Sequence, residues 1–329
     1  MRLGIDFGTT RTVVAAADRG NYPVISFQAE SGDMQTWYPS LVAMHDGETV
    51  SPLVAIQHLG EPGWYFLRSI KRLLGESSPD SPAAIGERNI PVFDLLVSYL
   101  TRLRQDLLEH SNLEVRSKEQ LEVLIAIPAN ANSNQRFLTL EGFRRAGFRI
   151  LGMINEPSAA GIEYAHHHIT SKRVAHKEYL VVYDLGGGTF DASVIGLSDR
   201  YHEVLTDEGI AELGGDDFDA LLLDLALARA SFTRDLSHTE RYHLLEECRR
   251  QKESLHPNTR RIAIDLSRGI EGGAAVMVPT EELYARSAPL IQRTITALES
   301  AMERQHNKTG ISWSDVETVY LVGGSSDLP

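Results

Sequence analysis

Two short runs in this chain combine the residue types that handle phosphate and metal. Asp184–Asp191 reads DLGGGTFD and Asp6–Thr10 reads DFGTT. In the first, three consecutive glycines let the backbone turn sharply and come close to a ligand, because no Cβ stands in the way. Successive N–H groups pointing inward from such a turn make a nest for phosphate oxygens, and Thr189 adds a hydroxyl donor. Asp184 and Asp191 cannot face phosphate without a cation between them, which implies Mg²⁺ or a monovalent ion. The Asp6 run repeats this logic with fewer glycines, Thr9 and Thr10 offering two hydroxyls and two amides. Either run alone is equally a hairpin turn with surface carboxylates. Two of them in register within one chain point to a shared grip on a polyphosphate and its metal. Gly214-Gly215 and Gly323-Gly324-Ser325 can likewise offer amides to an anion, or serve as ordinary turns and caps. Neither GxxxxGK[ST] nor GxGxxG is present, so the P-loop and Rossmann readings lose their warrant.

The elements that must carry these runs are legible as a faint repeat. LGIDFGTTRTVVA (Leu3–Ala15) and LVVYDLGGGTFDASV (Leu180–Val194) each read as strand, Gly-rich turn, strand, with Asp6 and Asp184 in matching places. Each is followed much later by an apolar run of buried-strand character, Leu121–Ala129 and Val316–Gly324. Two β-rich lobes of related topology are therefore expected. Helices are expected over Asp94–His110 with Asp94 as N-cap, from Ser133 to Gly147 and from Pro157 through Ala165. Three more are expected over Asp216–Ser231, Thr239–Leu255 and Ala288–Gln305. The second repeat stops at Pro329, just past its Gly turn, whereas the first continues through helix, strand and helix. A missing tail is the expectation drawn from that asymmetry.

Composition narrows the function classes. The chain has 329 residues, 32 Lys+Arg against 45 Asp+Glu and a net charge of −13, with 42% hydrophobic residues. That is globular composition, and its acidity argues against nucleic acid as a main partner. Nucleotides are still compatible, since backbone amides and cations can hold them. The lone Cys248 excludes an intrachain disulfide and fits a reducing compartment. No apolar run reaches membrane-span length, and Asp6 interrupts what would be a signal peptide's core, so a cytoplasmic protein is expected.

Taken together, the motifs resemble the nucleotide-binding domain of Hsp70 chaperones. They are DFGTT, KRLLG (Lys71–Gly75), IPANANSNQR (Ile127–Arg136), INEPSAAGIEYA (Ile154–Ala165), DLGGGTFD, LGGDDFD (Leu213–Asp219) and LVGGSSDLP (Leu321–Pro329), in the family's order. The resemblance implies an α/β protein of the actin/hexokinase/Hsp70 ATPase fold. Its lobes would be 1–172 and 173–329, each a mixed β-sheet core with a smaller outer subdomain, the outer inserts near 20–100 and 215–295, and nucleotide in the cleft between. The first insert is shorter than in typical Hsp70, which resembles the short YegD-like members more than full-length DnaK.

By the same resemblance, Lys71, Glu156, Asp6, Asp184 and Thr189 match catalytic positions, with Lys71 and Glu156 orienting the attacking water. In the first lobe Gly8, Thr9, Thr10 and Arg11 match ATP-binding positions. In the second, Gly186, Gly187, Gly188, Gly214, Gly215, Arg249, Lys252, Glu253, His256, Gly323, Gly324, Ser325 and Asp327 do so. Asp6, Asp184 and Asp191 match positions near hydrated Mg²⁺ and K⁺, while Pro128 and Arg136 match an allosteric relay. ATP or ADP with Mg²⁺ would be the cofactors. Partners would be a J-domain co-chaperone, an exchange factor or a further C-terminal domain, with no nucleic acid, no membrane and a monomeric state.

Two residues depart from the family. Arg249 stands where a ribose-binding Glu is usual, and Asp327 where an adenine-stacking Arg is usual. The expectation is that they face each other as a swapped ion pair. Rival readings are an MreB-type actin-like filament ATPase, a metabolite kinase on the same fold, and a nucleotide-sensing pseudo-ATPase.

Overall fold

Leu3, Ile5 and Phe7 alternate with Arg2, Gly4 and Asp6, and in the computed structural model this period-two pattern is strand β1 (Arg2–Phe7). Its apolar residues are buried and Asp6 lies on the opposite face. The structure describes residues 1–59, 61–115, 120–168, 178–197 and 202–329. These fall into two units, Met1–Ile162 and Glu163–Pro329. The boundary expected from sequence, 172/173, lies outside the described residues.

In the first unit, β1 is followed by β2 (Arg11–Ala16), β3 (Phe27–Gln28), β4 (Met34–Gln35), β5 (Tyr38–Pro39), β6 (Leu41–His45) and β7 (Glu48–Val50). Then come α1 (Pro52–Ala55), β8 (Trp64–Arg68), the single-turn α2 (Ile70–Leu73), β9 (Pro82–Ile85), β10 (Arg88–Pro91) and α3 (Val92–Glu109). The unit closes with β11 (Glu122–Ile127), α4 (Ser133–Arg145), β12 (Arg149–Asn155) and the start of α5 (Glu156–His168). The inner sheet has the order β12-β11-β1-β2-β5, and β7-β6-β8 form a separate sheet in the insert. Buried Phe7 packs against Tyr99 of α3 and Phe143 of α4, at ring-centroid distances of 5.7 and 6.3 Å. Burying such rings supplies the main driving force for closing the helices onto the sheet.

The second unit repeats the plan with β13 (Glu178–Leu185), β14 (Phe190–Leu197), β15 (His202–Ile210), α6 (Gly215–Arg229) and α7 (His238–Glu253). β16 (Arg261–Asp265), β17 (Ala275–Pro279), α8 (Thr280–Thr309) and β18 (Val316–Val322) follow. The sheet order is β15-β14-β13-β18. β1 runs parallel to β11 with Asp6 opposite Ala126, and β13 runs parallel to β18 with Asp184 opposite Val322. The two hairpins and their late parallel partners are thus built the same way, as the repeat predicts.

Three expectations need correction. Helix α3 starts at Val92 behind Pro91, so Asp94 sits in its first turn and is not the cap. Asn132, not Ser133, caps α4, because its side chain accepts from the Gln135 amide. Helix α8 runs 30 residues from Thr280, straight through Pro289. A proline there removes one helical hydrogen bond, but the buried positions Leu283, Ser287, Thr294, Ala297 and Ala301 on both sides of it outweigh that loss. Among the described residues, no helix is long and apolar enough to cross a membrane.

Candidate functional site

In the first unit the β1–β2 turn presents Asp6, Gly8, Thr9 and Thr10. Gly8 is required by geometry, since a Cβ there would stand 2.3 Å from the Arg11 carbonyl oxygen. Thr9 is buried beneath the turn. The turn is fixed from outside by the Ser40 amide, which donates to the Thr10 carbonyl at 3.1 Å. Two residues further, the Thr12 hydroxyl bonds Tyr99 Oη at 2.8 Å and Ser40 Oγ at 3.0 Å. Arg11 stacks its guanidinium on Trp37 at 4.8 Å, so it packs along the hairpin's flank.

Lys71 and Glu156, distant in sequence, meet in this unit: Lys71 Nζ donates to Glu156 Oε1 at 2.7 Å, with both side chains mostly buried. Glu156 is the first residue of α5, where the helix dipole favours a carboxylate. Asp6 belongs to the same cluster. Its pKa is pushed up to about 6, first by surrounding protein that strips water from it, then by the Glu156 carboxylate, with Lys71 pulling the other way. The residue nevertheless keeps an exposed surface, so solvent or a cation can still reach its carboxyl. The cluster therefore has an acid that repels its neighbour until a cation or a proton arrives.

Pro128 and Arg136 lie beside this pair. Arg136 donates to the carbonyls of Ala131 at 2.9 Å and Ala129 at 3.1 Å, gripping the loop that follows Pro128. It also reaches Asn155 Oδ1 at 3.3 Å, next door to Glu156. Asn132 and Asn134 of the same segment, not singled out from sequence, donate to carbonyls just beyond the Lys71 helix.

In the second unit three glycine turns lie on one another. Asp184 and Asp191 are direct cross-strand partners, and the turn between them closes with Gly186 N–H donating to Thr189 O at 2.9 Å. The Gly186 carbonyl accepts from Gly215 N at 3.0 Å and from Ser325 Oγ at 2.9 Å, while Asp216 N donates to Gly187 O at 2.7 Å. Only glycine permits this stacking. A Cβ on Gly214 would meet Gly188 N at 2.6 Å, and one on Gly323, where φ is +83°, would meet Asp184 Oδ1 at 2.4 Å. Gly324 remains open, with nothing near its missing Cβ.

This packing corrects the reading of Gly214 and Gly215 as anion donors. Gly214 N is bonded to Asp217 Oδ2 at 2.8 Å and Gly215 N to Gly186 O, so both amides brace the Gly186–Gly188 turn. Lys252 is similarly committed. Its ammonium donates to the Gly215 carbonyl at 2.6 Å and pairs with Asp219 at 2.7 Å, both side chains being buried. Burial pushes Asp219 up to about 6, against the pull of Lys252 and Arg249.

The swapped pair of Arg249 and Asp327 does not form. Arg249 is shared by Asp216 at 3.3 Å, Glu246 at 3.5 Å and Glu253 at 3.8 Å. Helical spacing supplies two of those partners and the N-terminus of α6 the third, which leaves exposed Asp327 in the turn after β18. His256, exposed past the end of α7, uses its amide on Thr259 Oγ1.

Among the described residues no cluster of three or more His, Cys, Asp or Glu side chains could hold a metal ion directly. The carboxylates instead come in pairs, Asp6 with Glu156 and Asp184 with Asp191. Pairs of this kind fit a hydrated cation held through its waters and do not fit a direct protein cage.

The model of the Hsp70 protein family matches residues 98–329. The chain is 30% identical over 351 residues to the chaperone protein HscA homolog of Shewanella denitrificans, covering all of this chain and 53% of that one. It is 30% identical over 342 residues to the chaperone protein DnaK of Halobacterium salinarum, covering 99% of this chain and 50% of that one. The chain spans about half the length of the curated relatives it matches. Those names are of chaperones, not of filament-forming actin relatives or metabolite kinases.

Proposed function

As a member of the Hsp70 family, this chain, we propose, binds ATP and hydrolyses it slowly, acting as the nucleotide-driven switch of a chaperone. The observation that carries the reading is the Lys71–Glu156 contact at 2.7 Å beside Asp6, on the flank of a Gly/Thr hairpin. A cation and two carboxylates beside a phosphate-binding turn suit in-line attack of water on a γ-phosphate, where positioning and charge neutralisation supply the rate. Lys71 and Glu156 would orient the water. Thr9, Thr10, Gly187, Gly188 and Thr189 would hold the phosphates, with Gly214, Gly215, Lys252 and Ser325 keeping the second turn in shape. Asp6, Asp184 and Asp191 would hold hydrated Mg²⁺, which when bound offsets phosphate charge, and K⁺ would sit near the same carboxylates. Arg249, Glu253, His256 and Asp327 would border the nucleoside, with a charge pattern that weakens adenine stacking but leaves the phosphate grip. Pro128 and Arg136 would relay the nucleotide state outward. A J-domain co-chaperone, an exchange factor or a C-terminal domain would read that state in the cytoplasm, the chain itself being monomeric.

The deciding experiment is steady-state turnover of the wild type and of Lys71→Ala. The wild type should hydrolyse ATP and the variant should lose at least about a hundredfold in kcat while still binding ATP. Unchanged turnover in the variant removes Lys71 from the mechanism. A wild type that binds ATP without hydrolysing it favours the nucleotide-sensing reading.

A further inference from the structure

We propose that Asn134 is a positioning residue for Lys71: its carboxamide reaches from α4 onto the carbonyls that follow α2 and holds the single-turn helix that aims Lys71 at Glu156. The inference rests on the ATPase reading above.

Helix α2 cannot hold itself. It has four residues, and one isolated turn is far too short to be stable in water. Its entry is strained as well, because Ser69, a residue with a Cβ, sits in the left-handed region with φ 55° and ψ 38°. Buried Ile70 and Leu74 anchor one side of the segment. Backbone closes the first of its exit carbonyls, Leu74 N donating to Lys71 O at 3.2 Å and Ser77 N to Leu73 O at 3.1 Å, which leaves the Leu74, Gly75 and Ser77 carbonyls just beyond in need of donors.

Asn134 meets that need with both protons of one amide nitrogen. Nδ2 donates to Ser77 O at 2.5 Å and more weakly to Leu74 O at 3.4 Å. Asn132 Nδ2 adds Gly75 O at 2.7 Å, but its Oδ1 also caps α4 through Gln135 N at 2.8 Å. Asn132 therefore serves two helices, whereas the side-chain bonds of Asn134 both go to the Lys71 segment. Two residues later Arg136 reaches Asn155, adjacent to Glu156. One turn of α4 thus fixes the chain on either side of the ion pair, and Asn134 governs the Lys71 side.

The test is ATP hydrolysis by the full chain with Asn134→Ala, Asn134→Ser and Asn134→Gln, alongside melting temperatures. Misplacing a positioned group by a fraction of an ångström should lower kcat about tenfold in Asn134→Ala with KM for ATP within about twofold. Asn134→Gln, which keeps both donors, should recover part of that loss. Asn134→Ser, with one short donor, should fall between, and it carries the test if the alanine variant does not fold. A kcat within twofold of wild type in Asn134→Ala, or in Asn134→Ser where that variant carries the test, overturns the proposal. So does a loss that follows melting temperature across the series with KM rising in step. Absence of turnover in the wild type is a different result, and overturns the ATPase reading on which the proposal stands.

Discussion

At the scale of single residues, Asp6 is where function and stability pull apart. A carboxyl whose folded pKa is about 6 rather than 3.8 keeps its proton longer in the folded chain than in the unfolded one. Between those values the folded state binds more protons, so stability falls as pH rises through the window. Asp6→Asn removes the repulsion with Glu156 and should raise stability at pH 7.5 by about 1 kcal/mol, a figure reduced for the side chain's contact with solvent. Chemical denaturation at two pH values checks this: the gain should shrink at pH 5, where the wild-type acid is largely protonated, and an equal gain at both would refute the assignment. The same variant should lose ATP turnover. Asp6 is legible in its Gly/Thr run, whereas Lys71 and Glu156 come only through the resemblance carried by KRLLG and INEP, since alone they read as a solvated lysine and a helix-start acid. Arg249 was misread because its partners, above all Asp216, are set by how α6 and α7 pack, which no local pattern records. The positive φ of Ser69 left no trace in sequence either.

Among the elements, the glycine turns carry the most weight and allow a comparative prediction. A Cβ on Gly214 meets backbone atoms of Gly186–Gly188 at 2.6–2.8 Å, whereas one on Gly215 meets the ends of the Ser325 and Lys252 side chains at 2.6 and 3.0 Å. Backbone cannot yield without deforming the Gly186–Gly188 turn, but side chains can swing. Gly214→Ala should therefore cost about 2–3 kcal/mol and Gly215→Ala about 1 kcal/mol. Equilibrium unfolding of both variants decides it, and the reverse order would mean the turns are not packed as described. The hairpins themselves could be read from sequence, since β1 alternates and the run from Leu180 to Val194 is β-rich around three glycines. That Gly214 and Gly215 brace the neighbouring turn, and do not donate to a ligand, depends on a contact between segments far apart in sequence. The start of α8 at Thr280 and not at Ala288 is of the same kind, because the tertiary burial that carries the helix through Pro289 is not a local property.

Across the whole molecule, two units each have their own core, one built around Leu3, Phe7, Tyr99 and Phe143, the other around Leu222, Leu244, Ile264 and Val278. The tryptophans divide between them, with Trp37 and Trp64 in the first and Trp313 in the second. Fluorescence of variants keeping only one set should report separate unfolding midpoints. Mg²⁺ with ATP at a hundredfold excess over Kd should stabilise a unit that binds it by roughly 2–3 kcal/mol and raise that unit's midpoint. A rise in only one would confine binding to that unit. Calorimetric titration with ATP and with adenosine, each with and without Mg²⁺, decides whether the glycine and threonine turns grip a polyphosphate. One ATP site is expected, weakened when Mg²⁺ is withheld, with adenosine bound at least about a hundredfold more weakly. Equal affinity for ATP and adenosine, or no heat with Mg²⁺ and ATP together, would contradict it.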